Sequence, residues 1–284
     1  MITEITIDFQ EDWLALIKSN LLLDKYTIDK LSNKQICLFY FMIEHKKINQ
    51  VSRKVFYSKE FCYPFEDKDK LNAIKEIEES IANGDDLSVY QSKSVMEYKN
   101  DMLLNDWGIH HFHLGKNYSD CFVNRTGDLL YVFFDEINAY FIDIKPHDFS
   151  NIDLLNIMTC NWSNLVNENV INREVAEYEE LSKEDIMKLR KAGIMTPQYS
   201  NGKMILSPGG GYASDGTSWE VHDKCHRMLK ILGNNESEIR KKFANIPFKI
   251  SKLIFILKVD NFGRYYVYEK NNDYRLELIS DHNY

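Results

Sequence analysis

The fold turns on the stretch Leu129-Leu130-Tyr131-Val132-Phe133-Phe134-Asp135-Glu136-Ile137-Asn138-Ala139-Tyr140-Phe141-Ile142-Asp143-Ile144. Two apolar runs rich in Val, Ile, Tyr and Phe flank the polar turn 135–138, and the pattern predicts an antiparallel hairpin. Residues 109–114 have the same β-type character. Towards the N-terminus the period becomes helical. Trp13, Leu16 and Ile17 recur at helical spacing within 9–23, and 28–45 is a longer stretch of the same kind. Residues 68–82 place Leu71, Ile74, Ile77 and Ile81 on one stripe that stops at Asn83-Gly84. Between these helices, 56–65 is aromatic and interrupted by Pro64, which predicts a loop or a short edge strand.

Beyond the hairpin, Ser150 with Asp153 opens a helix through Cys160, and Ser182 with Asp185 opens another that Gly193 closes. Asn201-Gly202 predicts a two-residue hairpin turn. Thr217 with Glu220 starts a third helix, which Gly233 is expected to end. Residues 252–260, 264–269 and 274–279 predict a three-stranded meander. Helices segregated from antiparallel hairpins predict an α+β protein. The expected organisation is a helical N-terminal region (1–84), a central antiparallel sheet (85–165) and an α+β C-terminal region (166–284).

The chain has 284 residues, 44% hydrophobic and 27% charged, with 12 Gly and 5 Pro, which excludes a disordered class. No apolar run approaches the ~20 residues of a membrane helix. Met1-Ile2-Thr3-Glu4 lacks the basic start of a secretory signal. The five cysteines contain no Cys-x-x-Cys and predict free thiols in a reducing compartment. A soluble cytoplasmic protein with no membrane partner is expected.

The net charge of −8 is unevenly spread. Residues 101–160 carry 3 basic and 9 acidic side chains, whereas 222–275 carry 12 and 6. Phosphate contacts dominate nucleic-acid affinity, so a uniformly acidic chain would argue against such a ligand. The basic C-terminal quarter keeps it open, with Arg240, Lys241 and Lys242 as candidate backbone contacts. The plainer reading of that triplet is a solvated helix end.

Trp107-Gly108-Ile109-His110-His111-Phe112-His113-Leu114-Gly115 places three of the eight histidines within four positions. In a strand, His111 and His113 share one face and His110 shares the other with Phe112. Two imidazoles on one face suit acid–base chemistry near neutral pH, and equally suit a shared metal ion. Structural histidines bonded to backbone and water would produce the same pattern. Downstream lie Arg125, the apolar run 129–134, the acidic turn, the strand with Asp143, and His147.

This arrangement over 85–150 resembles the core of the RelE-superfamily ribonuclease toxins, including the BrnT-like branch. The resemblance implies a metal-independent endoribonuclease that acts through the 2′-hydroxyl of RNA, without a cofactor. It would serve as a toxin or phage-defence effector, with an antitoxin or defence-system protein as a possible partner. Arg125 would match the arginine that stabilises the phosphorane, and His147 the terminal acid or base. His111 or His113 would take the remaining acid–base position. A metal-dependent nuclease using the His110–His113 cluster with Asp143 or His147 is the first alternative. A non-enzymatic immunity or protein-binding module is the second.

Three further features invite a functional reading. Pro208-Gly209-Gly210-Gly211 and Ser214-Asp215-Gly216-Thr217 precede a helix start and could hold phosphate, although a flexible connection explains them as well. His222 and His226 lie one helical turn apart, a zinc-compatible spacing, yet they also suit the boundary of an amphipathic helix. Cys225 reads as packing.

Overall fold

The structure is a computed structural model that describes residues 4–119, 121–147, 152–171, 181–244 and 252–278. The protein is α+β. Its strands are β1 (Ile5–Ile7), β2 (Lys54–Tyr57), β3 (Ile109–His113), β4 (Tyr118–Ser119), β5 (Phe122–Val123), β6 (Asp128–Phe134), β7 (Asn138–Pro146), β8 (Gln198–Ser200), β9 (Lys203–Ile205), β10 (Leu253–Val259), β11 (Tyr265–Glu269) and β12 (Tyr274–Glu277). The helices are α1 (Phe9–Leu23), α2 (Asn33–Lys46), α3 (Lys68–Asn83), α4 (Met102–Trp107), α5 (Ile152–Asn161), α6 (Lys183–Lys191) and α7 (Trp219–Ala244). Among the described residues, no helix is long and apolar enough to cross a membrane.

The chain divides into two compact units, Met1–Phe41 with Val221–Tyr284, and Met42–Glu220. This grouping joins the two chain ends, where the linear reading has three consecutive regions. Its cause is strand pairing: β1 lies parallel to β10, with Ile5 opposite Leu253 and Ile7 opposite Phe255.

In the first unit the strand order is β1-β10-β11-β12. Helix α1 is capped by Asp8, whose side chain accepts from the Glu11 N–H. The α1 residue Asp12 accepts from the Leu257 N–H at 2.8 Å, and the Trp13 indole donates to the Tyr265 hydroxyl at 3.2 Å. Strand β1 precedes the helices of the N-terminal region and, at three residues, is too short to show a period in sequence. One expectation is corrected here. Helix α7 runs through Gly233 to Ala244, since the buried positions Leu232, Asn235 and Ile239 continue its inward stripe past the glycine. That packing outweighs the ~1 kcal/mol helix penalty of one glycine.

In the second unit the order is β2-β7-β6-β3. The expected hairpin is β6–β7, turned at Asp135, whose Oδ1 accepts from the N–H groups of Ile137 and Asn138. The sheet is mixed rather than purely antiparallel, because β2 pairs parallel to β7 at one edge. Side chains alternate across it. Phe112, Leu130, Val132 and Phe141 pack with Ile74, Ile77 and Ile81 of α3, whereas Ile109, Leu129, Tyr131 and Ile142 pack with Trp107, Leu154 and Met158. Helix α3 covers one face, and α4 and α5 cover the other. Strand β3 is left as the second edge.

Helix α4 sets the entry to β3. Asp101 caps its start by accepting from the Leu104 N–H at 3.1 Å, and Gly108 ends it in the left-handed conformation, φ 70°. A buried ion pair locks the helix in place: Arg190 meets Asp106 Oδ2 through Nε at 2.9 Å and through Nη2 at 2.8 Å. Ser207 donates to the other oxygen at 2.7 Å, and the guanidinium lies 4.3 Å from the Trp107 ring centre.

The glycine loop belongs to the same assembly. The N–H groups of Gly209, Gly210 and Gly211 donate to the carbonyls of Asp106, Ser207 and Asn105. These three amides are committed to the fold and are not turned to a phosphate. The predicted cap at Ser150 falls outside the described residues. Ser182 caps α6, accepting from the Asp185 N–H at 3.1 Å.

Candidate active site

The edge strand β3 borders a cavity of about 370 Å³ within the second unit. His110 reaches it from one face of the strand, and His111 and His113 from the other. Arg125 and Thr126, just before β6, and His147, just after β7, complete that side. The rest of the lining is Lys46 at the end of α2, then Gln91, Ser92, Ser94 and Val95, then Lys99, Asn100, Asp101 and Leu104. His111, His113, Arg125 and His147, distant in the chain, therefore line one cavity.

The three strand histidines have distinct surroundings. His113 is 4% exposed, and its Nδ1 accepts from the Thr126 N–H at 3.2 Å. A neutral ring that accepts at Nδ1 carries its proton on Nε2, so His113 faces the cavity chemistry as a donor. Burial pushes its pKa down to about 4, aided by His111, Arg125 and His147. His111 Nδ1 lies 3.6 Å from Asp101 Oδ2. Burial lowers its pKa too, against the opposing pull of Asp101. The rings of His111 and His147 meet edge-on, with centroids 6.2 Å apart. His110 stands edge-on to Phe134 at 5.4 Å, and burial takes its pKa down to about 3.

Desolvation penalises the charged form of each of the three rings. A neutral imidazole is competent as a base.

The cations lie elsewhere. Arg125 is exposed and donates through Nη2 to the Ser92 hydroxyl at 3.2 Å. Lys46 is 6% exposed and donates through Nζ to the Lys99 carbonyl at 2.6 Å. Burial lowers its pKa to about 8. Among the described lining residues, Lys46, Lys99 and Arg125 are cationic and Asp101 is the carboxylate.

No protein-family model matches the chain, and no curated protein or solved structure does either.

Other candidates lie apart from this cavity. Asp143 is buried and pairs with Lys145 at 3.0 Å, and its Oδ1 accepts from the Ile144 N–H. Among the described residues, no group of three or more His, Cys, Asp or Glu is placed to share a metal ion. In the first unit, Arg240 donates to the carbonyls of Ile5 and Ile7 at 3.3 and 3.0 Å, a structural task on β1. Lys241 pairs with Glu238 at 2.8 Å, and Lys242 is exposed. Cys225 is buried against the thiol of Cys37.

Sequence reasoning missed Asp101, Thr126 and Lys46. Asp101 carries a legible signal, an N-cap residue three positions before Leu104. Thr126 acts through its backbone, and Lys46 is the last residue of a helix, so neither leaves a local mark.

Proposed function

We propose that this cavity is the active site of a metal-independent endoribonuclease. The observation that carries the reading is the convergence of His111, His113, Arg125 and His147 on one cationic cavity. Cleavage through the 2′-hydroxyl needs a base, an acid and a cation, because the nucleophile is already part of the substrate.

His111 is the base. The negative charge of Asp101, 3.6 Å from Nδ1, favours the tautomer protonated there, and Nε2 takes the 2′-hydroxyl proton. The 2′-oxygen attacks phosphorus, and the bond to the 5′-oxygen breaks. His147 delivers a proton to that leaving oxygen, giving a 2′,3′-cyclic phosphate and a 5′-hydroxyl. Arg125 holds the non-bridging oxygens as charge develops, and His113 adds a neutral donor from Nε2. Lys241 and Lys242, in the first unit, are proposed contacts for RNA backbone. The resemblance to RelE-superfamily toxins supports RNA as the substrate and a role as toxin or phage-defence effector, held by an antitoxin or defence-system protein.

The test is cleavage of an RNA oligonucleotide in excess EDTA. Expected products end in 2′,3′-cyclic phosphate and 5′-hydroxyl, and a 2′-deoxy substitution at the scissile nucleotide blocks the reaction. Activity that EDTA abolishes and zinc or manganese restores would favour the metal-dependent nuclease built on the same histidines. No cleavage, together with a stable complex with another protein, would favour the binding module.

A further inference from the structure

We propose that Lys46 is an anion ligand of this cavity, holding an oxyanion of the phosphate class alongside Arg125. The proposal deepens the ribonuclease reading and rests on it for the identity of that anion as a phosphodiester.

The position of Lys46 is fixed from both sides. The Gln91 amide donates to its main-chain carbonyl at 3.0 Å, capping the end of α2. Its Nζ donates to the carbonyls of Lys99 and Glu97 at 2.6 and 3.4 Å. An ammonium has three N–H groups, so these two bonds leave one for the cavity that the side chain lines. Among the described residues, no carboxylate forms an ion pair with it. Asp101 and Glu97 act on it only at longer range.

Arg190 shows the contrast, being a buried cation paired directly with Asp106. A lysine that only completed a wall would be cheaper as methionine or leucine, because a buried ammonium loses its hydration. Its lowered pKa of about 8 records that loss. An anion in the cavity would supply the missing counter-charge and raise the proton affinity again.

Inorganic sulfate is the probe, since it stays a dianion through the working pH range and is not a substrate. In the full-length protein at constant ionic strength, sulfate should slow acylation of Lys46 by an amine-directed reagent, read by mass spectrometry. Exposed Lys188 should react at an unchanged rate. Lys46→Met should weaken sulfate binding about tenfold or more, measured by calorimetry. The proposal is overturned if the wild-type protein binds no sulfate, if bound sulfate leaves Lys46 acylation unchanged, or if a folded Lys46→Met protein binds as tightly as wild type. Should Lys46→Met not fold, the wild-type labelling decides alone. Sulfate protection of Lys46 in a protein that leaves RNA intact would keep this anion site and dismiss the ribonuclease. RNA cleavage with an unprotected Lys46 would do the reverse.

Discussion

The main-chain N–H of Thr126 donates to Nδ1 of His113 at 3.2 Å, and this single bond separates the roles of two histidines on the same strand face. It places the His113 proton on Nε2, so His113 donates. Asp101 Oδ2 lies 3.6 Å from Nδ1 of His111, the ring to which the proposed mechanism gives the accepting role. Under the ribonuclease reading, His111→Ala should lower RNA cleavage by ~100- to 10,000-fold, the usual contribution of a general base. Asp101→Asn should lower it less and shift the acidic limb of the pH–rate profile. Equal losses for His111→Ala and His113→Ala, with identical pH profiles, would undo the assignment.

Arg125 is exposed and bonds the Ser92 hydroxyl, so its removal should leave the fold alone. Arg125→Ala is expected to cut cleavage ~100- to 1,000-fold, as losing a transition-state donor does, with little change in Tm. Cleavage at the wild-type rate would remove this residue from the mechanism.

Acid should destabilise the protein through its buried histidines. An unfolded histidine takes up a proton near 6.5, whereas His110 and His113 in the fold do so only near about 3 and about 4. Between those limits the unfolded state binds more protons, so stability is complete above pH ~6.5 and falls as pH drops through the window. Asp101, His45, His111 and Arg53 surround His110 and contribute to its shift. His110→Leu should flatten the fall, retaining about 4 °C or more of the Tm that wild type loses by pH ~4. Parallel Tm curves for the two proteins would show that His110 does not titrate in this way.

The Asp106–Arg190 pair should be worth most to stability. Arg190→Met leaves a buried carboxylate without its counter-ion, a change that typically costs ~3–5 kcal/mol. Adding Asp106→Asn should recover part of it, which denaturant titration of the two variants would reveal. Gly209→Ala should be similarly harmful for a steric reason, since an added Cβ would stand 2.2 Å from the Leu104 carbonyl oxygen and 2.4 Å from the Gly108 nitrogen. Both obstacles are backbone, one of α4 and one of the residue that ends it, so a wild-type midpoint for Gly209→Ala would mean that the loop shifts freely.

The basic triplet at the end of α7 should split by function. Arg240→Ala removes two bonds to β1 and should lower the Tm. Lys241→Glu with Lys242→Glu should leave the Tm unchanged and weaken RNA binding, reducing the log–log salt slope by ~0.7 per lost phosphate contact. An unchanged slope would make those lysines plain surface.

Local sequence determined the elements and little of their assembly. The β6–β7 hairpin, helix α3 with its stop at Gly84, and the β10–β12 meander are written in periodicity and turn chemistry, which act over a few residues. The histidine cluster was also visible, because adjacency in sequence guarantees adjacency on a strand. Tertiary structure decided the rest. Strand β1 joins β10 across almost the whole chain, and Gly233 stays helical because burial of Leu232 and Ile239 outweighs its propensity. The histidines became unequal only through distant partners: the Thr126 N–H fixes one tautomer, Asp101 faces another ring, and Lys46 arrives from the end of a separate helix. Desolvation then set their protonation, and desolvation is a property of everything packed around a group, so no short stretch of sequence encodes it.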